Sequence, residues 1–367
     1  MEEGRRYLIG LNLIPEITPR RMKMLLTRFP SPRAIWEASA RELAAVPGVS
    51  SATADVIAAK RDERAIDQEL KRVSELEVRI VTIIDSDYPS ALREIDSPPV
   101  VLYAKGDGEL DPRRSIAIVG TRRASGYGKT VACGLASKLV ALGITVVSGL
   151  ALGIDTAAHR GALDGNGSTV AVLGSGLGHV YPAENQRLAE EIVNSGGVVL
   201  SEYPVCMAPT KWTFPQRNRI IAGIVRGVVV IEAPERSGAL ITARLAVDQG
   251  REVFAVPGPV TSIMSRGTNR LLQDGAKLVM EVSDILSEFP DLAGLIQPEQ
   301  ERDDGRLSSL TPMQQRVYDL IGLEPTHIDD IIAQGNISPT EAAHILLTLQ
   351  LRNLIQEVEG RRYIRRP

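Results

Sequence analysis

The sequence predicts an α/β fold in which a doubly wound, mostly parallel sheet stands between an N-terminal helical module and a C-terminal winged helix. Three observations predict it. Between residues 85 and 289 short apolar runs alternate with helical stretches, the signature of βαβ crossovers. Residues 7–79 read instead as helices joined by Pro and Gly turns. After a polar, apolar-poor stretch at 297–306 the pattern becomes three helices and a short hairpin. The expected domains are 1–84, 85–290 and 307–367, with 291–306 as a linker.

Composition narrows the function classes. The 367 residues are 44% hydrophobic and 24% charged, ordinary for a soluble chain and long enough for two or three cores. The longest apolar runs, such as 228–231, are strand-sized and far short of a membrane span, so no membrane partner is expected. Met1-Glu2-Glu3-Gly4 has no apolar signal core. Two cysteines, Cys133 and Cys206, build no disulfide framework, and the expected location is cytoplasmic. A net charge of −3 does not favour nucleic acid, but the distribution of charge matters more than its sum.

In the first module, Pro47-Gly48-Val49-Ser50 precedes a helical run at 52–60. A helix, a Pro-Gly turn and a second helix opening at Ser make a helix-hairpin-helix, in which Gly lets backbone approach a phosphate. An earlier copy, Ile14-Pro15-Glu16-Ile17-Thr18, has Glu16 in place of the Gly. Residues 1–72 hold 13 Lys/Arg against 10 Asp/Glu. A DNA-touching module and a purely structural one both fit.

In the middle segment the runs 116–119, 145–147, 169–173, 198–200, 228–231 and 253–256 read as buried parallel strands, with helices at 128–142, 185–194 and 239–249. Ligands of such sheets bind where strand C-termini meet the following helices. Those ends carry Gly120, Thr121 and Arg122 after the first run, Ser148 and Gly149 after the second, and Ser237 and Gly238 beyond the fifth. Small residues let backbone amides face a crevice, and Arg supplies charge for a phosphate. Residues 112–154 contain six basic side chains and no acid, and 203–231 contain four and no acid. A basic crevice is the expectation.

The densest motif is Lys211-Trp212-Thr213-Phe214-Pro215-Gln216-Arg217-Asn218-Arg219. A base stacked on Phe214 or Trp212, with phosphates held by Lys211 and Arg217, is single-strand-binding chemistry. Two of the chain's six Phe and Trp residues lie here. Competing chemistries fail on spacing. Gly128-Lys129-Thr130 lacks the upstream Gly of a P-loop, since Arg123 stands there. Gly174-Ser175-Gly176-Leu177-Gly178-His179 breaks a dinucleotide fingerprint at its last position and follows the wrong strand. The four histidines and two cysteines have no metal-ligand spacing. Asp155 is expected to cap a helix at 156–162 and Glu202 to orient an arginine. No catalytic residue, metal or cofactor is expected.

Ile118-Val119-Gly120-Thr121-Arg122, the run from Ser148 to His159, Phe214-Pro215-Gln216-Arg217-Asn218-Arg219, and Ser237-Gly238-Ala239-Leu240-Ile241-Thr242-Ala243 occur in that order. Phe254-Ala255-Val256-Pro257-Gly258 and Gly267-Thr268-Asn269 follow. This series resembles the successive signature blocks of the DNA-processing protein A (DprA/Smf) family, over nearly the whole chain. It departs from the family at Gly178, where an Asp is usual. The resemblance implies an N-terminal helix-hairpin-helix or SAM-like domain, an extended Rossmann core that binds single-stranded DNA, and a C-terminal winged helix. It further implies a homodimer through the Rossmann domain, with apolar positions between Ala239 and Leu286 available for the contact. Delivery of the strand to the RecA recombinase during natural transformation is implied as well. Carried over by residue, DNA contact falls to Gly120, Arg122, Lys211, Phe214 and Arg217, with Asn218 and Arg219 as contacts or internal scaffolding.

The C-terminal module reads as helices at 310–320, 328–334 and 339–351, then strands at 355–358 and 363–365 around Gly360-Arg361-Arg362. Ser338 and Glu341 form a capping-box pair. Residues 307–367 hold six Lys/Arg and seven Asp/Glu, and the third helix opens with Thr340, Glu341 and His344. Major-groove reading is disfavoured, while Arg361, Arg362, Arg365 and Arg366 suit a backbone or a protein partner. The alternative for the whole chain is an enzyme, a nucleotide phosphoribohydrolase on a related sheet. Its Pro-Gly-Gly-x-Gly-Thr loop is missing, since Pro234-Glu235-Arg236-Ser237-Gly238-Ala239 stands there.

Overall fold

The computed structural model describes residues 2–108, 110–295, 310–322, 325–352, 354–358 and 360–365, in two compact units, Met1–Leu295 and Ile296–Pro367. The expected linker from residue 296 onward, and Arg366, lie outside the described residues.

The first unit opens with six helices: α1 (Glu2–Asn12), α2 (Pro19–Arg28), α3 (Pro32–Glu37), α4 (Ala40–Ala44), α5 (Ser51–Ala59) and α6 (Glu63–Glu75). Local chemistry starts five of them. Thr18, Ser31, Ser39, Ser50 and Asp62 each accept a backbone N–H of the helix they precede, and Pro19 and Pro32 occupy first helical positions, where no N–H is missed. Gly48 turns α4 into α5 at φ +82°, and its carbonyl accepts from Arg21 Nε at 3.2 Å. Glu16, in the degenerate copy, pairs with Lys60 at 2.6 Å. Leu8, Leu25, Trp36, Leu43, Ile57 and Ile66 fill the centre of this module, and the same core continues onto Val101 and Tyr103.

The sheet has nine strands: β1 (Arg79–Thr82), β2 (Val101–Lys105), β3 (Ser115–Val119), β4 (Thr145–Ser148), β5 (Thr169–Val172), β6 (Val198–Ser201), β7 (Gly227–Val230), β8 (Glu252–Ala255) and β9 (Lys277–Leu278). Their order is β1-β2-β6-β5-β4-β3-β7-β8-β9. The strands from β3 to β9 pair in parallel, with Ile116 opposite both Val146 and Gly227. β1 and β2 add an antiparallel edge, and β2 runs antiparallel to β6. The six runs read from the sequence match β3 to β8 within two residues. β3 to β7 are buried along their whole length, as strands covered on both faces must be. β1, β2 and β9 were not among those runs.

A short helix, α7 (Ser90–Arg93), lies between β1 and β2, and crossover helices α8 (Gly126–Ala141), α9 (Ile154–Asp164), α10 (Gln186–Asn194), α11 (Thr213–Gly223), α12 (Gly238–Asp248) and α13 (Arg266–Gln273) join the parallel strands. Among its described residues the second unit holds three helices, Pro312–Leu320, Ile328–Gly335 and Pro339–Leu351, and three short strands around its own core of Val317, Ile331, Leu346 and Leu349. Ser338 and Glu341 close the expected capping box on the third helix. Among the described residues no helix is long and apolar enough to cross a membrane.

Candidate nucleic-acid interface

Strand order reverses between β3 and β7: β4, β5 and β6 follow β3 on one side, while β7, β8 and β9 lie on the other. Doubly wound sheets open a crevice at such a point, beyond the strand C-termini. Here it has a volume of about 720 Å³. Five basic side chains line it (Arg122, Arg123, Lys211, Arg217 and Arg236) with one carboxylate, Asp155.

The β3 end is fixed by its backbone. Thr121 N donates to Glu232 O at 2.7 Å, and Thr121 O accepts from Ile154 N at 3.2 Å. Gly120 must lack a side chain, since a Cβ would lie 2.5 Å from Ile154 and 3.0 Å from Glu232 O. The Glu232 carboxylate accepts from Ser125 N (2.9 Å) and Ser125 Oγ (2.6 Å), which anchors the start of α8. Across this braced loop Arg122 and Arg123 are exposed.

Opposite them is the start of α11. The Arg122 guanidinium lies 5.2 Å from the Phe214 ring centre, and Phe214 lies 5.5 Å from the Tyr181 ring at a tilt of 46°. Lys211 is exposed with its Nζ 5.0 Å from the Trp212 ring. Among the described residues neither Arg122 nor Lys211 forms an ion pair. Ser237 caps α12 by accepting from Ala239 N at 3.3 Å, so Gly238 and the first α12 amides edge the crevice, an arrangement that suits an anion.

The other expected site residues lie deeper. Arg217, 4% exposed, donates through Nη1 to Gly149 O (2.8 Å) and to Val172 O, and through Nε to Asn218 Oδ1 (3.2 Å). Asn218 Nδ2 donates to Gly238 O at 3.3 Å. Arg219 is engaged elsewhere, with both Glu202 oxygens at 2.6 Å and Ser97 O at 2.9 Å. Ser148 is fully buried and donates to Ile118 O at 2.7 Å. The crevice therefore brings together Gly120, Thr121, Arg122, Lys211, Phe214, Arg217, Asn218, Ser237 and Gly238. Gly149 lies beneath Arg217, while Ser148 and Arg219 do not line it. Glu202 orients an arginine as expected.

Asp155 does not cap its helix. α9 begins at Ile154 with Gly153 as the preceding cap at φ +83°, where a Cβ would strike Thr121 O at 2.4 Å. Asp155 Oδ2 accepts from Ala151 N at 3.3 Å. Burial lowers Arg217 to about 10 and pushes the Asp155 carboxyl up. Behind them His159 is fully buried, Nδ1 on Thr169 Oγ1 at 2.8 Å, and burial holds it down to about 3.

The sequence reading did not single out Tyr181, Thr210 or Arg236, all of which line the crevice. Tyr181 is more than 30 positions from Phe214, and no local pattern marks it. Arg236 had a usable signal, a basic residue directly before the Ser237-Gly238 helix start. Among the described residues no group of three or more His, Cys, Asp or Glu is placed to hold a metal.

Residues 79–290 match the family model described as DNA recombination-mediator protein A, and residues 301–361 match the DprA winged helix domain. Protein Smf of Synechocystis is 33% identical, covering 98% of each chain. The DNA processing protein DprA of Bacillus subtilis is 40% identical over 70% of this chain and 89% of its own. Among solved structures, DprA of Streptococcus pneumoniae superimposes with a TM-score of 0.67 at 37% identity, over 77% of this chain and 98% of that one. DNA processing protein A of Helicobacter pylori, solved to show its single-stranded DNA binding mode, gives 0.52 at 32% identity over 58% and 95%.

Proposed function

The chain belongs to the DprA/Smf family of DNA-processing proteins that act in recombination, and on that footing we propose that its crevice binds single-stranded DNA without turning it over. The observation that carries the reading is the mouth of the crevice. Exposed Arg122 lies against Phe214 of the Phe214–Tyr181 ring pair, exposed Lys211 lines the same crevice, and among the described residues neither forms an ion pair. Phosphates sit on Arg122 and Lys211 and on the amides at Gly120, Ser237 and Gly238, with the Thr121 amide held by Glu232 O, while a base stacks on Phe214. Stacking on any base and charge on any phosphate give tolerance of sequence and strong salt dependence. Arg217 and Asn218 shape the floor, and Arg217 adds a fixed positive potential from below.

The cellular role that fits is protection of an incoming strand and its delivery to the RecA recombinase during natural transformation, by a homodimer formed through the Rossmann domain. The edge strand β9 leaves Leu278 46% and Met280 77% exposed beside it, an apolar edge suited to self-association. A sedimentation experiment finding only monomer at micromolar concentration would remove the dimer. The nucleotide-hydrolase alternative has no support in the crevice or among the relatives.

Fluorescence anisotropy of labelled oligo-dT, at low and moderate salt with duplex as competitor, tests the binding. The wild-type protein binds tightly and salt-sensitively, and duplex fails to displace the strand. Replacing Arg122 and Lys211 together by Ala lowers affinity at least ~10-fold and flattens the salt slope, as two lost phosphate contacts require. Unchanged binding by that variant ends the assignment.

A further inference from the structure

We propose that a single strand leaving the crevice past Lys211 seats one base in a second recess, walled by the N-terminal helical module and stacked on Trp212. This rests on the single-strand reading of the crevice and extends it to a module whose part in binding is unassigned. The recess has a volume of about 230 Å³. Ile17, Pro19 and Met22 line it from the helical module, and Pro99, Tyr203 and Trp212 from the sheet side.

Four observations identify a base as the occupant. The recess adjoins the crevice: Thr210 lines both, and the next two residues divide between them, Lys211 in the crevice and Trp212 in the recess. Trp212 is 72% exposed, whereas the other tryptophan, Trp36, is 8% exposed within the helical core. An exposed indole at a recess is the residue type enriched where a partner covers it. The walls offer no cation for a phosphate, since no Lys, Arg or His is among the residues lining the recess, and its one carboxylate, Glu202, has both oxygens on Arg219 at 2.6 Å. Finally, Gln216 at the same recess accepts from Tyr203 Oη through Oε1 at 3.3 Å. Its Nε2 has no partner among the described residues and can donate to the carbonyl of a pyrimidine. A volume of this size holds one planar base and no longer run of nucleotides. The phosphate before it falls at Lys211, whose Nζ already lies 5.0 Å from the indole.

The full-length protein reports on this directly, since Trp212 is its one exposed tryptophan. Oligo-dT is titrated while anisotropy and tryptophan emission are read together, with iodide as a probe of exposed indole. Emission falls and iodide protection rises in step with anisotropy. The Trp212→Ala protein, whose fold the exposed side chain hardly supports, binds roughly 10-fold more weakly, the scale of one lost base stack, with an unchanged salt slope. An oligonucleotide carrying one 5-iodouracil cross-links to peptides containing Trp212 or Met22. Full affinity in Trp212→Ala together with unaltered emission of the wild-type protein, or cross-links confined to Phe214 and Tyr181, overturns the recess while leaving the crevice intact. No rise in anisotropy with the wild-type protein overturns the crevice reading itself, and the recess with it.

Discussion

Arg217 Nη1 donates to the Gly149 carbonyl at 2.8 Å directly beneath the basic crevice, so this arginine belongs to the wall as much as to the surface. A Cβ on Gly149 would lie 2.6–2.8 Å from the guanidinium, and the packing leaves that group nowhere to retreat. Arg217→Ala leaves two buried carbonyls, of Gly149 and Val172, without a donor. At about 1–3 kcal/mol for each unsatisfied group, urea unfolding should show a loss of about 3 kcal/mol. Lysine cannot rescue this, because a point charge does not reproduce the planar fork. Arg122→Ala should differ in kind: it weakens oligonucleotide binding but leaves stability within about 0.5 kcal/mol, as exposed substitutions do. If Arg217→Ala proves as stable as Arg122→Ala, its structural role is wrong.

A second buried arginine makes the complementary case. Arg219 and Glu202 form a two-pronged pair with side chains 10% and 8% exposed, tying the end of β6 to α11, while Arg219 Nε also holds Ser97 O. Removing one partner of such a pair costs about 3–5 kcal/mol, because the survivor stays buried and uncompensated. Glu202→Gln and Arg219→Met should each shift the urea midpoint strongly. The double variant Glu202→Leu with Arg219→Met should recover much of the loss. Equal destabilisation by the single and double variants would show that the cost lies in lost packing, not in the stranded charge.

These two arginines also show where the sequence stops being informative. That Lys211, Phe214 and Arg122 gather at one crevice was legible because basic and aromatic residues gather after strands that exclude acids. The division of labour within Arg217-Asn218-Arg219 was not. Successive residues on a helix turn by about 100°, so the three side chains reach Gly149, Gly238 and Glu202 respectively. Which of those directions meets solvent depends on strands and loops far off in sequence. The same limit explains the sheet. β3 to β7 are buried throughout and read as short runs rich in Val and Ile, whereas β1 begins with the exposed Arg79 and β9 is two exposed residues. Tyr181 joins the crevice only because its loop folds against Phe214 of α11.

His159 gives the pH dependence. It is fully buried, with Nδ1 on Thr169 Oγ1 and Nε2 without a partner, and burial lowers it to about 3, with Arg217 adding to the effect. The unfolded chain, with an ordinary imidazole near 6.5, binds the proton more readily than the folded one. Its contribution to stability is therefore complete above about pH 6.5 and is lost as pH falls towards 3, at about 1.4 kcal/mol per pH unit. Asp155 works in the opposite sense, since burial raises its carboxyl and a lower pH relieves that penalty. The two are separated by subtraction. Urea unfolding of wild type and His159→Gln at pH 7 and pH 5 should show the wild type losing about 2 kcal/mol more than the variant. Equal losses would mean that His159 takes up a proton within the fold, and that the packing around Thr169 opens to admit it.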